Sequence, residues 1–294
     1  MRSSSRAVAQ DFKVGDLASS QPREFEFSEA DFRDLVQFAH THAGIALSES
    51  KRNLVYSRLS RRLRTLGMTS FRDYREYLAT KPSELEAFIN AISTNLTKFF
   101  REAHHFEHLG AHVAVPFAKG QHASANRLRV WSAGCSTGEE PYTIAVVLKR
   151  EIHDIARRDV KILATDIDTD VIAKGARGEY PANSLEEVPK AYRQFFQSNG
   201  RGSTTVVMDE TIRSLVSFRR LNLMERWPFS GKFDAIFCRN VMIYFDGPTK
   251  AKLIDRFTQQ LAPGGWLYIG HSESLMGSHP GLRLVGRTVY RREA

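Results

Sequence analysis

Glu139 and Glu140 stand where a nucleotide-binding loop would carry phosphate-binding groups, and that narrows the chemistry. They lie in Trp131-Ser-Ala-Gly-Cys-Ser-Thr-Gly-Glu-Glu-Pro-Tyr142, directly after the apolar run Leu128-Arg-Val130. A short strand ends there, Gly134 and Gly138 turn the chain, and Pro141 opens an apolar-periodic helix, Ile144 to Leu148. Strand, glycine turn and helix form the first unit of a doubly wound sheet. The loop lacks G-x-G-x-x-G and has no Lys-Ser/Thr to hold phosphates. Its two carboxylates repel pyrophosphate and welcome a cation or a ligand that presents hydroxyls. That points away from NAD and ATP and toward S-adenosylmethionine, a sulfonium with a ribose and no phosphate.

A further carboxylate closes the next strand. Val160–Thr165 reads as a buried strand ending in Asp166-Ile-Asp168. An acid at that point is placed to accept from both ribose hydroxyls. We assign Asp166 to the cofactor, and the cap of the following helix, Val171 to Ala176, to Asp168 or Asp170. Another buried strand, Phe233–Cys238, delivers Arg239, Asn240 and Tyr244 at its carboxyl end, where doubly wound enzymes bind ligands. Asn240 can pair with an adenine edge or a substrate polar group, and Tyr244 can face the reactive methyl. Asn95, Thr97 and Arg101 crowd one segment with Phe99, Phe100 and Phe106. Asn95 and Thr97 can bond a cofactor carboxylate or amine, and Arg101 can grip a carboxylate in a bidentate fork. His104 and His105 are adjacent, so on a helix they point about 100° apart, and no cysteine is near; no metal is expected.

The elements that must position these groups fall into two blocks. Residues 25–109 read as a helical domain: a capping box at Ser28–Asp31 before Phe32–His42, then Glu49–Leu66, Ser70–Leu78 and Ser83–Ile92. Residues 110–127 read as a linker, and 128–294 as the α/β domain. Within the latter, 179–219 reads as an insertion with a small antiparallel sheet that includes Thr204–Met208 and Leu215–Arg219. Residues 1–24, rich in serine and small residues and without periodicity, read as a disordered tail with no secretory signal. No apolar run approaches the roughly 20 residues a membrane span needs. Cys135 and Cys238 are the only cysteines, which excludes a disulfide framework and suits a reducing cytoplasm. Both are expected at the ends of neighbouring strands as free thiols.

Net charge is +9, which calls for an acidic partner of some kind: nucleic acid, a membrane surface or a protein. Lys51 to Arg64 holds six cations and no acid, and Lys51, Arg58, Arg61 and Arg62 read as one basic ridge beside the apolar stripe Val55, Leu59, Leu63 and Leu66.

Four segments in order resemble the CheR family, the chemotaxis receptor glutamate methyltransferases. They are Asn95-Leu-Thr-Lys-Phe-Phe-Arg-Glu-Ala-His-His-Phe106, Ser132–Tyr142, Ala164–Asp168 and Phe237-Cys-Arg-Asn-Val-Met-Ile-Tyr-Phe-Asp246. Gly270-His-Ser-Glu-Ser274 and Gly286-Arg-Thr-Val-Tyr290 extend the likeness, which spans Phe25 to Tyr290. The resemblance implies a small helical domain joined to an S-adenosylmethionine domain with a β-subdomain. By matching position it implies cofactor contacts at Asn95, Thr97, Arg101, Glu140, Asp166, Asn222, Leu223, Arg239 and Asn240, with Arg101 and Tyr244 beside the transferred methyl. The implied substrate is a glutamate side chain on an acidic receptor helix, which the basic ridge would meet as a monomer in the cytoplasm. In some relatives the β-subdomain also docks a tethering peptide at the receptor's C-terminus, and the motifs leave that open here. A nucleic-acid methyltransferase is the competing class. Base-methylating enzymes carry Asn/Asp-Pro-Pro-aromatic after the fourth strand, where this chain has Arg239-Asn-Val-Met242. A catalytically silent receptor-binding module is the third option, and the intact Glu140, Asp166 and Asn240 argue against it.

Overall fold

Apolar residues at helical spacing bury one another first, and the amino-terminal half of the chain is built that way. The computed structural model describes residues 23–122, 126–200, 202–275 and 279–293. Four helices follow in succession: α1 (Glu29–Ala43), α2 (Arg52–Leu66), α3 (Phe71–Thr80) and α4 (Pro82–Ile92). Ser28 and Asp31 make the expected capping box, and Gly44 and Gly67 end α1 and α2 in the left-handed conformation. Leu35, Val55, Leu59, Leu63, Phe71, Tyr74 and Phe88 fill the core between them. Most of the expected tail, residues 1–22, lies outside the described residues. Its last two residues are fastened to α2. Arg23 donates to Asn53 Oδ1 at 2.8 Å, and Glu24 pairs with Arg64 at 2.7 Å.

The same packing takes the expected basic ridge apart. Arg62 forks both carboxylate oxygens of Glu84 at 2.6 and 2.5 Å, and Glu84, only 3% exposed, also accepts from the Tyr74 hydroxyl. Arg58 gives its guanidinium to the carbonyls of Ala91, Ile92 and Ser93 at the end of α4. These two arginines are internal braces, while Lys51 and Arg61 remain exposed. Helical spacing locates a side chain around its own axis but does not reveal which neighbour comes to meet it.

The segment expected as linker is helical over its first half. α5 (His104–Leu109), a π-helical turn over Gly110–Ala114 and α6 (Val115–Ala118) run on without a break. Phe99, Phe106, Leu109, Val113 and Phe117 join the core of the α/β block, so the chain crosses over soon after α4. Gly110, where the linker is expected to begin, instead continues the helical run, with room for a Cβ 3.7 Å from Val147.

The remaining elements are β1 (Arg127–Ala133), α7 (Glu139–Glu151), β2 (Asp159–Asp166), α8 (Thr169–Arg177), β3 (Glu179–Pro181), β4 (Phe196–Ser198), β5 (Thr205–Met208), α9 (Glu210–Arg213), β6 (Val216–Arg220), β7 (Phe233–Cys238), α10 (Gly247–Gln260), β8 (Leu261–Ile269), β9 (Leu282–Gly286) and β10 (Val289–Arg292). The main sheet has the order β6-β2-β1-β7-β8-β10-β9. Its first five strands are parallel, and β10 returns antiparallel with β9 at the edge. β3, β5 and β4 form the small antiparallel sheet. β6 corrects the expectation: it is no part of that insertion but pairs in parallel with β2, Ile162 opposite Val216. A short strand does not announce its partner, and only the crossover through α8 and the small sheet decides it. No described helix is long and apolar enough to cross a membrane.

Strand order reverses between β1 and β7, and in doubly wound sheets a ligand crevice opens at that point. Cys135, just past β1, and Cys238, ending β7, are both buried and free, and burial pushes both thiols well up from their ordinary range. Titration with a thiol reagent in denaturant should find two thiols per chain; finding none would mean a bond between them.

Candidate active site

The turn after β1 shows why this sequence needs its glycines. Gly134 has φ 83°, and a Cβ there would meet Val241 Cγ2 at 2.2 Å. The turn after β7 is therefore packed directly on the turn after β1. Four non-glycine residues near the same crevice also hold left-handed backbone: Phe100, Glu102, Ser136 and Asn240, with φ between 49° and 58°. Such conformations cost on the order of 1–3 kcal/mol each and persist where the surroundings over-determine them. Arg101 sits between two of them.

These turns enclose a cavity of about 560 Å³. Asn95, Thr97, Arg101, Glu140, Asp166, Asn222, Leu223, Arg239, Asn240 and Tyr244 all line it, and so does Lys51. Arg58, Arg61 and Arg62 do not. One wall comes from the helical block: Ala43, Ile45–Ser48 and Leu54 face the cavity, and the Ala46 amide donates to the Tyr244 carbonyl at 2.8 Å.

The floor is acidic and buried. Asp166 Oδ2 accepts from the Ser136 amide at 2.8 Å and Oδ1 from the Asp168 amide at 3.1 Å. Each oxygen keeps a lone pair for a ligand hydroxyl. Asp168 caps α8 through the amides of Asp170 and Val171, and it also accepts from Asn95 Nδ2 at 2.7 Å. Glu140 accepts from Ser132 Oγ at 2.8 Å and from Arg239 Nη1 at 2.9 Å. Burial raises the carboxyl pKa of both Glu140 and Asp166, against the lowering effect of these hydrogen bonds. A cationic ligand would relieve that cost.

Arg239 is spent inside the protein. Its guanidinium holds Glu140, donates to the Arg101 carbonyl, stands 3.5 Å from Glu102 and lies over the Phe106 ring. Asn222 is engaged as well, donating to the His42 carbonyl at 2.7 Å and accepting from the Met224 amide at 3.0 Å. Arg101 is different: Nη1 donates to the Leu96 carbonyl at 2.9 Å, and no carboxylate pairs with it among the described residues. The Tyr244 hydroxyl donates to the Thr94 carbonyl at 3.3 Å.

Glu273 is the residue that sequence reasoning left without a role. Its carboxylate accepts from the amides of Asn240 and Gly270, both at 2.7 Å, and of Ile243 at 3.0 Å. It thereby fixes the whole turn that presents Asn240 and Tyr244. The available signal was an acid three residues after the glycine that closes a parallel strand.

Glu102, His104 and His105 bring ligand atoms within 4.8 Å of one another. The Arg239 guanidinium, bonded to Glu140, stands 3.5 Å from that carboxylate, and its positive charge works against a second cation there. Burial holds His105 neutral, with its pKa pushed down to about 3.

Comparison with known proteins decides the family. The model described as CheR methyltransferase, SAM binding domain, matches residues 95–291, and the CheR all-alpha domain matches residues 30–93. The chain belongs to the CheR methyltransferase family. It is 44% identical over 271 residues to chemotaxis protein methyltransferase 2 of Pseudomonas aeruginosa, covering 91% of this chain and 95% of the relative. It is 45% identical over 258 residues to a probable chemotaxis protein methyltransferase of Rhizobium etli, covering 86% of this chain and 96% of that one. The chemotaxis protein methyltransferase of Escherichia coli is 41% identical over 268 residues, with 90% and 91% covered. This CheR chain is thus an S-adenosylmethionine-dependent methyltransferase of chemotaxis, with the all-α and α/β architecture described above.

Removing the Asp166 carboxylate should weaken S-adenosylhomocysteine binding by roughly 1–3 kcal/mol, since it strands hydroxyls without an acceptor. Isothermal titration of a folded Asp166→Ala variant checks this. Unchanged affinity would take Asp166 out of the cofactor site.

Proposed function

We propose that the enzyme transfers the methyl group to glutamate side chains on the acidic methylation helices of chemoreceptors, leaving methyl esters and S-adenosylhomocysteine. The observation that carries this reading is the division of charge in the cavity. Buried carboxylates form the floor, while Lys51 and Arg101 line the cavity with no carboxylate partner among the described residues. The floor suits a sulfonium and the two cations suit a carboxylate.

When bound, S-adenosylmethionine supplies the electrophilic methyl. A glutamate side chain titrates at about 4.3, so at neutral pH the nucleophile is already ionised and the site needs no general base. His105 and His108, both held neutral by burial, lie outside the cavity lining. What the residues must supply is orientation. Asp166 takes the ribose, with Asn95, Thr97, Glu140, Asn222, Leu223 and Asn240 around the rest of the cofactor. Arg239 works as a positioning residue through Glu140 and the Arg101 backbone. Arg101 and Tyr244 flank the methyl group. Reaction consumes an anion and a cation, which a water-poor cavity favours.

The full receptor contact is wider. Lys51 and Arg61 offer the exposed positive charge on the helical block, and the edge strands β3 and β4 are where a C-terminal receptor peptide would add by strand pairing. We assign the enzyme to the cytoplasm as a monomer. Titration with S-adenosylhomocysteine, followed by transfer of labelled methyl to a receptor cytoplasmic fragment, duplex DNA or RNA, tests this reading. Label on nucleic acid and none on receptor would sink it.

A further inference from the structure

Four large apolar side chains are well exposed among the described residues: Leu96 at 81%, Leu284 at 60%, and Ile243 and Val285 at 44%. Isolated exposed apolar groups need no explanation. Leu96 and Ile243 differ because both line the one cavity that holds Arg101 and Tyr244. Both are also held by charged side chains. The Leu96 carbonyl accepts from Arg101 Nη1 at 2.9 Å, and the Ile243 amide donates to Glu273 Oε1 at 3.0 Å. Tyr244, next to Ile243, donates to the carbonyl of Thr94, two residues before Leu96, so the two segments are tied together beside the cavity. The buried floor meets the cofactor, whereas a side chain four-fifths exposed is what a macromolecular substrate reaches first.

We infer that Leu96 and Ile243 form an apolar lip that grips the substrate beside its target carboxylate. They select a glutamate that has an apolar side chain within one helical turn of it. This rests on the glutamate reading above and adds the sequence context that the site reads. The occupant follows from the chemistry at the rim. A uniformly acidic segment would satisfy Lys51 and Arg101 but press charge against the leucine and isoleucine, which costs desolvation. An amphipathic acidic helix satisfies both, because residues three and four apart stand side by side, about 5–6 Å between Cβ atoms. A lip pre-set by hydrogen bonds also loses little freedom on docking.

The test is steady-state methylation of a purified chemoreceptor cytoplasmic fragment by the full chain and by Leu96→Ser, Ile243→Ser and Leu284→Ser variants. Each lip variant should raise KM for the fragment by about five- to tenfold, with S-adenosylhomocysteine affinity unchanged. Leu284→Ser, on the far edge strand β9, should match wild type, and Leu96→Met should recover most of the loss. An unchanged KM in Leu96→Ser overturns the lip, as does a loss confined to S-adenosylhomocysteine affinity. Should Ile243→Ser fail to fold, Leu96→Ser carries the test alone, since its side chain packs on little. A wild-type enzyme that leaves no methyl ester on the fragment removes the glutamate reading and the lip with it. Normal wild-type turnover with unmoved lip variants removes the lip only.

Discussion

Arg101→Ala should lower kcat for methyl transfer by about two orders of magnitude while S-adenosylhomocysteine affinity falls by less than about tenfold. The guanidinium spends one donor on the Leu96 carbonyl and has no carboxylate partner among the described residues. Its backbone is held between left-handed Phe100 and Glu102, and its carbonyl is gripped by Arg239. A side chain so firmly mounted, lining the cavity and without a carboxylate partner among the described residues, is suited to fixing a carboxylate at attack distance. Arg101→Lys should recover little, because an ammonium cannot reproduce the planar fork. Single-turnover rates at saturating cofactor make the check. A variant that loses only cofactor affinity, with its rate intact at saturation, would put Arg101 in the cofactor cradle alone.

The second large effect is on stability. Arg62→Glu should destabilise the helical block by about 3–5 kcal/mol, because it leaves buried Glu84 without its counter-charge and adds a like charge beside it. Glu84 also holds the Tyr74 hydroxyl, so α2, α3 and α4 lose their common polar joint. Urea unfolding followed by circular dichroism reads this as a lower midpoint. For a ridge residue facing a partner, the fold would be indifferent to the reversal and only receptor methylation would suffer. An unchanged midpoint with slower receptor methylation would restore Arg62 to a docking surface.

Much of this molecule was readable because its chemistry is local. The loop from Trp131 to Tyr142 announces strand, turn and helix in consecutive residues, and the acid after β2 follows from the same periodicity. Asn240 and Tyr244 were placed by position at a strand end, and they line one cavity with Gly134, Ser136, Glu140 and Asp166. What could not be read depends on long-range partners. Glu273 acts on a turn some thirty residues earlier in the chain, and nothing near it in sequence states that. Arg58 and Arg62 looked like free cations because Glu84 and the carbonyls at the end of α4 come from another helix. β6 looked like part of the small antiparallel sheet because a strand's own residues do not name the strand beside it. The helical run past residue 110 packs on the core of the α/β block, a contact that its own residues do not state.

The methyl acceptor is identified by incubating the enzyme with methyl-labelled S-adenosylmethionine and a chemoreceptor cytoplasmic fragment, then treating the product with mild base and mapping the modified peptides. Methylation of receptor glutamates requires label on glutamate side chains that base releases as methanol, absent when those glutamates are replaced by alanine. Label that resists base, or that sits on any other residue type, would contradict it.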